Sequence, residues 1–148
     1  MTDAERCYVA ALRILGFRFN GELELRRKLQ RKKFEKPVID ATIARLREEK
    51  WLDDERFAGA FARTRSRKRI GAKRIVLELR AAGIDDETAS RAVQENVDPE
   101  REREQIRAII QRRAALLESD DGRRKLIGYL LKQGYDHADI VGELKIEN

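Results

Sequence analysis

Most side chains in this chain that could do chemistry are suited to binding charge; few are suited to moving protons or holding metals. His137 is the only histidine and Cys7 the only cysteine, so one chain assembles neither a zinc cluster nor a Cys-His pair. His137 reads as an exposed first-turn residue of a helix, and Cys7, beside Tyr8 and Val9, as a small packing residue. Asp53-Asp54-Glu55 has the residue types for acid-base or metal work. It stands where a helix begins, however, and acidic residues there serve the positive end of the helix dipole. The nine glycines are scattered singly and form no phosphate-cradling loop. The reading is therefore a non-enzyme, with no catalytic residue, no metal site, no cofactor, and no ATPase or nuclease activity.

Positive charge carries the information. Lys and Arg number 33 against 27 Asp and Glu, for a net charge of +6. From Arg56 to Leu77 the chain holds Arg56, Arg63, Arg65, Arg67, Lys68, Arg69, Lys73 and Arg74 and no acidic residue. Residues 51–100 are neutral as a whole, with ten basic and ten acidic side chains, so this middle segment is strongly polarised. A second cluster comprises Arg26, Arg27, Lys28, Arg31, Lys32, Lys33 and Lys36, interrupted only by Glu35 as an acidic residue. A basic run is often a solvated helix face. The middle run lacks the carboxylates that would neutralise it locally, which favours an acidic partner. Guanidinium groups suit bidentate contact with phosphates or carboxylates. Trp51, Phe57 and Phe61 have spacings that suit core packing, with Leu52 stapling onto Phe57, and they form no platform for stacked bases. Nucleic-acid contact would then be mostly with phosphates and weakly sequence-specific.

A repeat of about fifty residues positions these groups. Leu25, Leu29, Lys33, Phe34, Ile39 and Ile43 recur as Ile75, Leu79, Gly83, Ile84, Ala89 and Val93, then as Leu126, Leu130, Gly134, Tyr135, Ile140 and Leu144. Steps of four within each half suit a helix face, and Gly83 and Gly134 sit where a helix would end in a left-handed residue. Lys33 departs from that glycine rule. Each copy reads as a helix, a tight turn and a second helix, preceded by another helix over 3–16, 53–69 or 98–117. Asp53, Asp85, Asp98 before Pro99, and Asp136 mark helix starts. Pro37 opens the corresponding helix of the first copy.

Ala, Glu, Lys, Leu and Arg make up more than half of the chain, a helix-forming composition, and the regular interruptions exclude one continuous coiled coil. The predicted architecture is all-α. It has about nine helices in three tandem three-helix repeats, at 1–50, 51–97 and 98–148, forming an elongated, curved array whose neighbours share apolar surface. The alternative is a single compact helical bundle. No apolar run approaches the ~20 residues a membrane helix needs, so no membrane partner is expected. The lone cysteine and the start Met-Thr-Asp-Ala-Glu suit a cytoplasmic monomer.

Several stretches resemble the RecX family, bacterial regulators of the RecA recombinase. They are Ala11-Leu12-Arg13-Ile14-Leu15 through Arg18 to Glu24-Leu25-Arg26-Arg27-Lys28-Leu29; Trp51-Leu52-Asp53-Asp54-Glu55-Arg56-Phe57-Ala58 with Arg63, Arg65, Ser66, Arg67, Gly71, Arg74, Ile75, Glu78, Leu79, Gly83 and Ile84; and Leu130, Gly134, Tyr135 and Ile140. Where many members have serine before the Glu-Leu of the first repeat, this chain has Gly21. The resemblance implies three three-helix repeats that bind along the groove of the RecA filament on single-stranded DNA. It also implies restraint of strand exchange, ATP hydrolysis and assistance to repressor self-cleavage, and hence control of recombination, repair and the SOS response. It carries over no catalytic residue. The candidate contacts are the middle run together with Arg26, Arg27, Arg31 and Lys32. A general helical nucleic-acid-binding protein acting without RecA is the alternative.

Overall fold

The computed structural model describes residues 1–17 and 20–147; Arg18 lies outside the described residues. They form nine α-helices and one 3-10 helix, with no strand among the described residues. The first repeat holds α1 (Asp3–Phe17), α2 (Glu22–Arg31) and α3 (Lys36–Glu48); the second holds α4 (Asp54–Arg67), α5 (Ala72–Ala81) and α6 (Asp86–Asn96). The third holds α7 (Pro99–Arg112), the 3-10 helix (Ala114–Glu118), α8 (Asp120–Lys132) and α9 (His137–Glu147). The continuous helix expected over 98–117 thus ends at Arg112 and gives way to the 3-10 turns.

Caps fall where the acidic residues placed them. Asp53 accepts from the Arg56 N–H at 3.1 Å, Asp85 from Thr88 at 2.8 Å, Asp98 from Glu100 at 3.0 Å and Asp136 from Ala138 at 3.1 Å. The turns after α2, α5 and α8 share one geometry. Lys33, Gly83 and Gly134 are left-handed at φ 69°, 89° and 100°. In each, the next residue's N–H reaches back to Leu29, Leu79 or Leu130.

The apolar residues make three separate cores. Leu25, Leu29, Ile39, Ile43 and Leu46 close with Cys7, Ala11 and Leu52; Ile75, Leu79 and Ile84 close with Ala58 and Ala62; Leu126, Leu130, Tyr135 and Ile140 close with Ile106 and Ile110. Helix packing runs within each repeat. The expected sharing of apolar surface between repeats is therefore replaced by polar junctions. Leu52 joins the first core while Phe57 packs on the second, so the expected staple does not bring them into one cluster. Phe57 and Phe61 meet at 5.6 Å beside the second core, but Trp51 is 58% exposed.

The junctions use backbone contacts and borrowed carboxylates. Gly21 and Gly71 are the N-caps of α2 and α5, and neither has a side chain to cap with. The Gly21 N–H donates to Ala82 O at 3.0 Å and the Gly71 N–H to Gln133 O at 2.8 Å, so each glycine docks on the turn of the next repeat. The missing caps come from that same repeat. Asp54 Oδ2 accepts from the Glu22 N–H at 3.2 Å, and Glu102 Oε1 from the Ala72 N–H at 2.7 Å. A Cβ on Gly21 would lie 2.3 Å from Gly83 O, and one on Gly134 would lie 2.4 Å from Arg74 Cβ. This explains the glycine at position 21. Lys33, at the matching position of the first turn, is exposed.

At the far end the pattern closes on itself. α8 begins with Ser119 as its own cap, accepting from the Gly122 N–H at 3.0 Å, and a Cβ on Gly122 would meet Leu116 O of the 3-10 helix at 2.1 Å. The accessible surface is 9358 Å², against about 7800 Å² for a compact monomer of 17.2 kDa. The array is elongated.

Candidate nucleic-acid and partner interface

The middle basic run divides once its helices are placed. Arg65 makes a two-pronged contact with Glu78 of α5, with both hydrogen bonds at 2.8 Å and its side chain 25% exposed. Arg74 donates to Gln133 at 2.8 Å across the second junction and lies 3.7 Å from Glu78. Lys73 pairs with Asp136 at 3.1 Å, also across that junction, and Arg63 donates to Asn96 at 2.7 Å. These four groups have partners within the chain. The acid-free stretch does find carboxylates, supplied by α5 and by the third repeat, which the linear sequence does not display.

Arg56, Arg67 and Lys68 are exposed, Arg69 is half-buried, and none has a carboxylate or hydrogen-bond partner for its side chain among the described residues. Arg67, Lys68 and Arg69 cluster at the C-terminal end of α4, with Arg69 left-handed at φ 64°. Cations there complement the helix dipole. In the first repeat, Arg26 is tied to Asp40 at 2.5 Å, whereas Arg27, Arg31 and Lys32 are exposed and without partners among the described residues. The two clusters lie in different repeats and do not merge into one constellation.

Helix α4 separates two clefts of opposite character. At its N-terminal end a hollow of about 440 Å³ is lined by Glu22, Asp53, Asp54, Glu55 and Asp85 with Arg47 and Lys50. Burial, reinforced by Asp85, pushes the Asp54 carboxyl up to about 6, and Asp54 Oδ1 is buried without a hydrogen bond. Burial likewise raises the Glu102 carboxyl at the second junction. At the other end of α4, a hollow of about 190 Å³ is lined by Lys68, Arg69, Arg112, Arg113, Tyr129, Gln133 and Ile109 and by no acid. Sequence reasoning did not single out Arg101, Arg112 or Arg113. The alternating charges of Asp98, Glu100, Glu102 and Glu104 disguise the start of α7, but the acid-free stretch 105–117 marks its end.

Among the described residues there is no group of His, Cys, Asp and Glu that could hold a metal ion, and no helix is long and apolar enough to cross a membrane.

Comparison with known proteins aligns with this geometry. Two family models match, RecX first three-helix domain over residues 7–46 and RecX second three-helix domain over residues 53–93. The Regulatory protein RecX of Trichlorobacter lovleyi is 32% identical over 143 residues, covering 93% of this chain and 92% of that protein. The chain belongs to the RecX family. The Regulatory protein RecX of Chlorobium phaeobacteroides is 31% identical, covering 94% of this chain and 91% of that protein. The crystal structure of RecX from Lactobacillus salivarius superposes with a TM-score of 0.83 at 24% identity, covering 97% of this chain and 95% of that one. That agreement fixes the all-helical fold. The relatives' shared name describes a regulator and not an enzyme.

Proposed function

We propose that this chain is a regulator, mainly inhibitory, of the RecA filament on single-stranded DNA. It would act as a cytoplasmic monomer whose three units, 1–50, 51–97 and 98–148, lie along the filament. It would restrain strand exchange, ATP hydrolysis and repressor self-cleavage, and so recombination, repair and the SOS response. Membership in a family of proteins named as regulators supports the regulatory role. The observation that carries the contact is the cluster Arg67, Lys68 and Arg69, whose charges no described carboxylate neutralises. Such a surface attracts phosphates, or the acidic faces of a filament, from several ångströms away. Arg27, Arg31 and Lys32 offer a second, separate contact.

The test is RecA ATP hydrolysis on single-stranded DNA with increasing amounts of this chain. The parent should lower the rate, and Arg67→Ala/Lys68→Ala/Arg69→Ala should restore most of it while the helical circular dichroism stays unchanged. Arg65 is left intact in that variant because its loss would strand Glu78. A parent that leaves hydrolysis untouched would sink the proposal in favour of nucleic-acid binding independent of RecA.

A further inference from the structure

We infer that the groove between α4 and α7, across the junction of the second and third repeats, seats a single-stranded nucleic-acid segment. Its floor would grip the phosphates through Lys68, Arg69, Arg112 and Arg113. The inference rests on the filament reading for its setting, and it adds residues of the third repeat and a ligand class.

The groove is singled out by cations from two repeats that line one hollow. Along α7, Arg103 is paired with Glu100 at 2.6 Å and Arg107 with Glu143 at 2.9 Å. Arg101 and Arg112 have no side-chain partner among the described residues, and they open on the hollows shared with α4. Arg67, Lys68 and Arg69 face them from α4. Arg27, Arg31, Lys32 and Arg56 elsewhere also lack partners, but in this groove unpaired cations of the second and third repeats line one hollow that holds no acid.

Helix polarity does not account for the excess. The C-terminal ends of α4 and α7 both lie at the acid-free hollow, and each contributes roughly half a negative charge. About one unit of negative charge then faces four cations, and the remainder attracts an anion carrying several charges.

Two features favour a nucleic-acid strand over an acidic peptide. Arg113 is exposed and lies with its guanidinium carbon 4.1 Å from the centre of the Tyr129 ring, a planar pair onto which a base would stack. From Arg101 to Arg112 the groove follows α7 for about 16 Å, at 1.5 Å per residue, with Glu104 as an acid on its wall beside Arg101, and that length would take several linked phosphates. A strand in this groove would also bridge a junction that is otherwise held by a few polar contacts.

The free chain, without RecA, provides the test. Fluorescence anisotropy with labelled oligodeoxythymidylate should show Arg112→Ala/Arg113→Ala binding at least tenfold more weakly than the parent. The slope of log affinity against log salt should fall by about 0.7 for each phosphate that the variant no longer neutralises. Arg13→Ala/Arg124→Ala, which removes the same charge at exposed positions outside the groove, should change affinity less than twofold. Lys68→Gln is a second groove variant in case loss of the Arg113–Tyr129 stack disturbs folding, and it should weaken binding with a smaller change in slope. Equal losses in the groove and control variants would reduce the effect to net charge and overturn the inference. So would competition by polyglutamate as strong as that by unlabelled oligonucleotide, which would make this a site for acidic polypeptide. If groove variants bind oligonucleotide like the parent while the parent still inhibits RecA, the groove fails and the filament reading stands. If the groove variants lose oligonucleotide but the parent leaves RecA unaffected, the groove stands and the filament reading fails.

Discussion

Asp54 shows how a residue read as a simple helix-start acid acquires a second task. Asp53 caps its own helix, while Asp54 reaches across the junction to the N-terminus of α2. Burial there raises its carboxyl from 3.8 to about 6. Between those values the folded chain binds more protons than the unfolded chain, so stability falls as pH rises through the window and the cost persists above it. Asp54→Asn keeps an oxygen acceptor for the Glu22 N–H and removes the buried charge. We predict that at pH 7.5 this variant is more stable than the parent by on the order of 1 kcal/mol, after allowance for partial exposure, and unfolds at a higher temperature. The parent's decline in stability between pH 4 and 6 should flatten. An unchanged pH profile, measured by thermal melts, would show that Asp54 is not the group responsible. Lys33 illustrates the converse economy. Its left-handed φ of 69° costs a side-chain-bearing residue about 1 kcal/mol, yet no described neighbour requires glycine there.

Among the elements, the junctions behave unlike the repeats they join. A Cβ on Gly71 would fall 2.3 Å from the Gly134 carbonyl carbon, which is backbone and has little room to yield. Gly71→Ala should therefore cost several kcal/mol or uncouple the second and third repeats, seen as an earlier or broader urea transition. Leu79→Asp, which puts a charge into a fully buried site of the second core, should abolish the cooperative transition of that repeat. Survival of a parent-like midpoint in either variant would contradict its assignment. The repeat itself was legible because Leu25, Ile75 and Leu126 recur at an interval of about fifty residues with apolar companions at matching positions. The left-handed turns were legible from Gly83 and Gly134. The need for glycine at 21 and 71 was not, because it arises from a turn some sixty residues further along the chain. The partners of Arg65 and Arg74 were hidden for the same reason. Glu78 lies just beyond the acid-free stretch, and only the packing of α4 against α5 brings it to Arg65. Trp51 shows that helix-adjacent spacing does not by itself bury an aromatic ring.

Over the whole molecule, three small cores in series leave more surface than a compact bundle would. The radius of gyration in solution should exceed the roughly 15 Å expected of a compact chain of this length, and small-angle scattering that fits a compact sphere would contradict the array. Charge is distributed along the same axis, with an acidic hollow at one end of α4 and a basic one at the other. On a negatively charged filament, as proposed, this polarity would favour one orientation of the array. The central claim is that the partner is the RecA filament and not bare DNA, and a binding titration compares the two most directly. Labelled single-stranded DNA is titrated with this chain at one fixed salt concentration, first bare and then coated with RecA. Binding to the coated strand should be at least tenfold tighter, and equal or tighter binding to bare DNA would refute the filament reading.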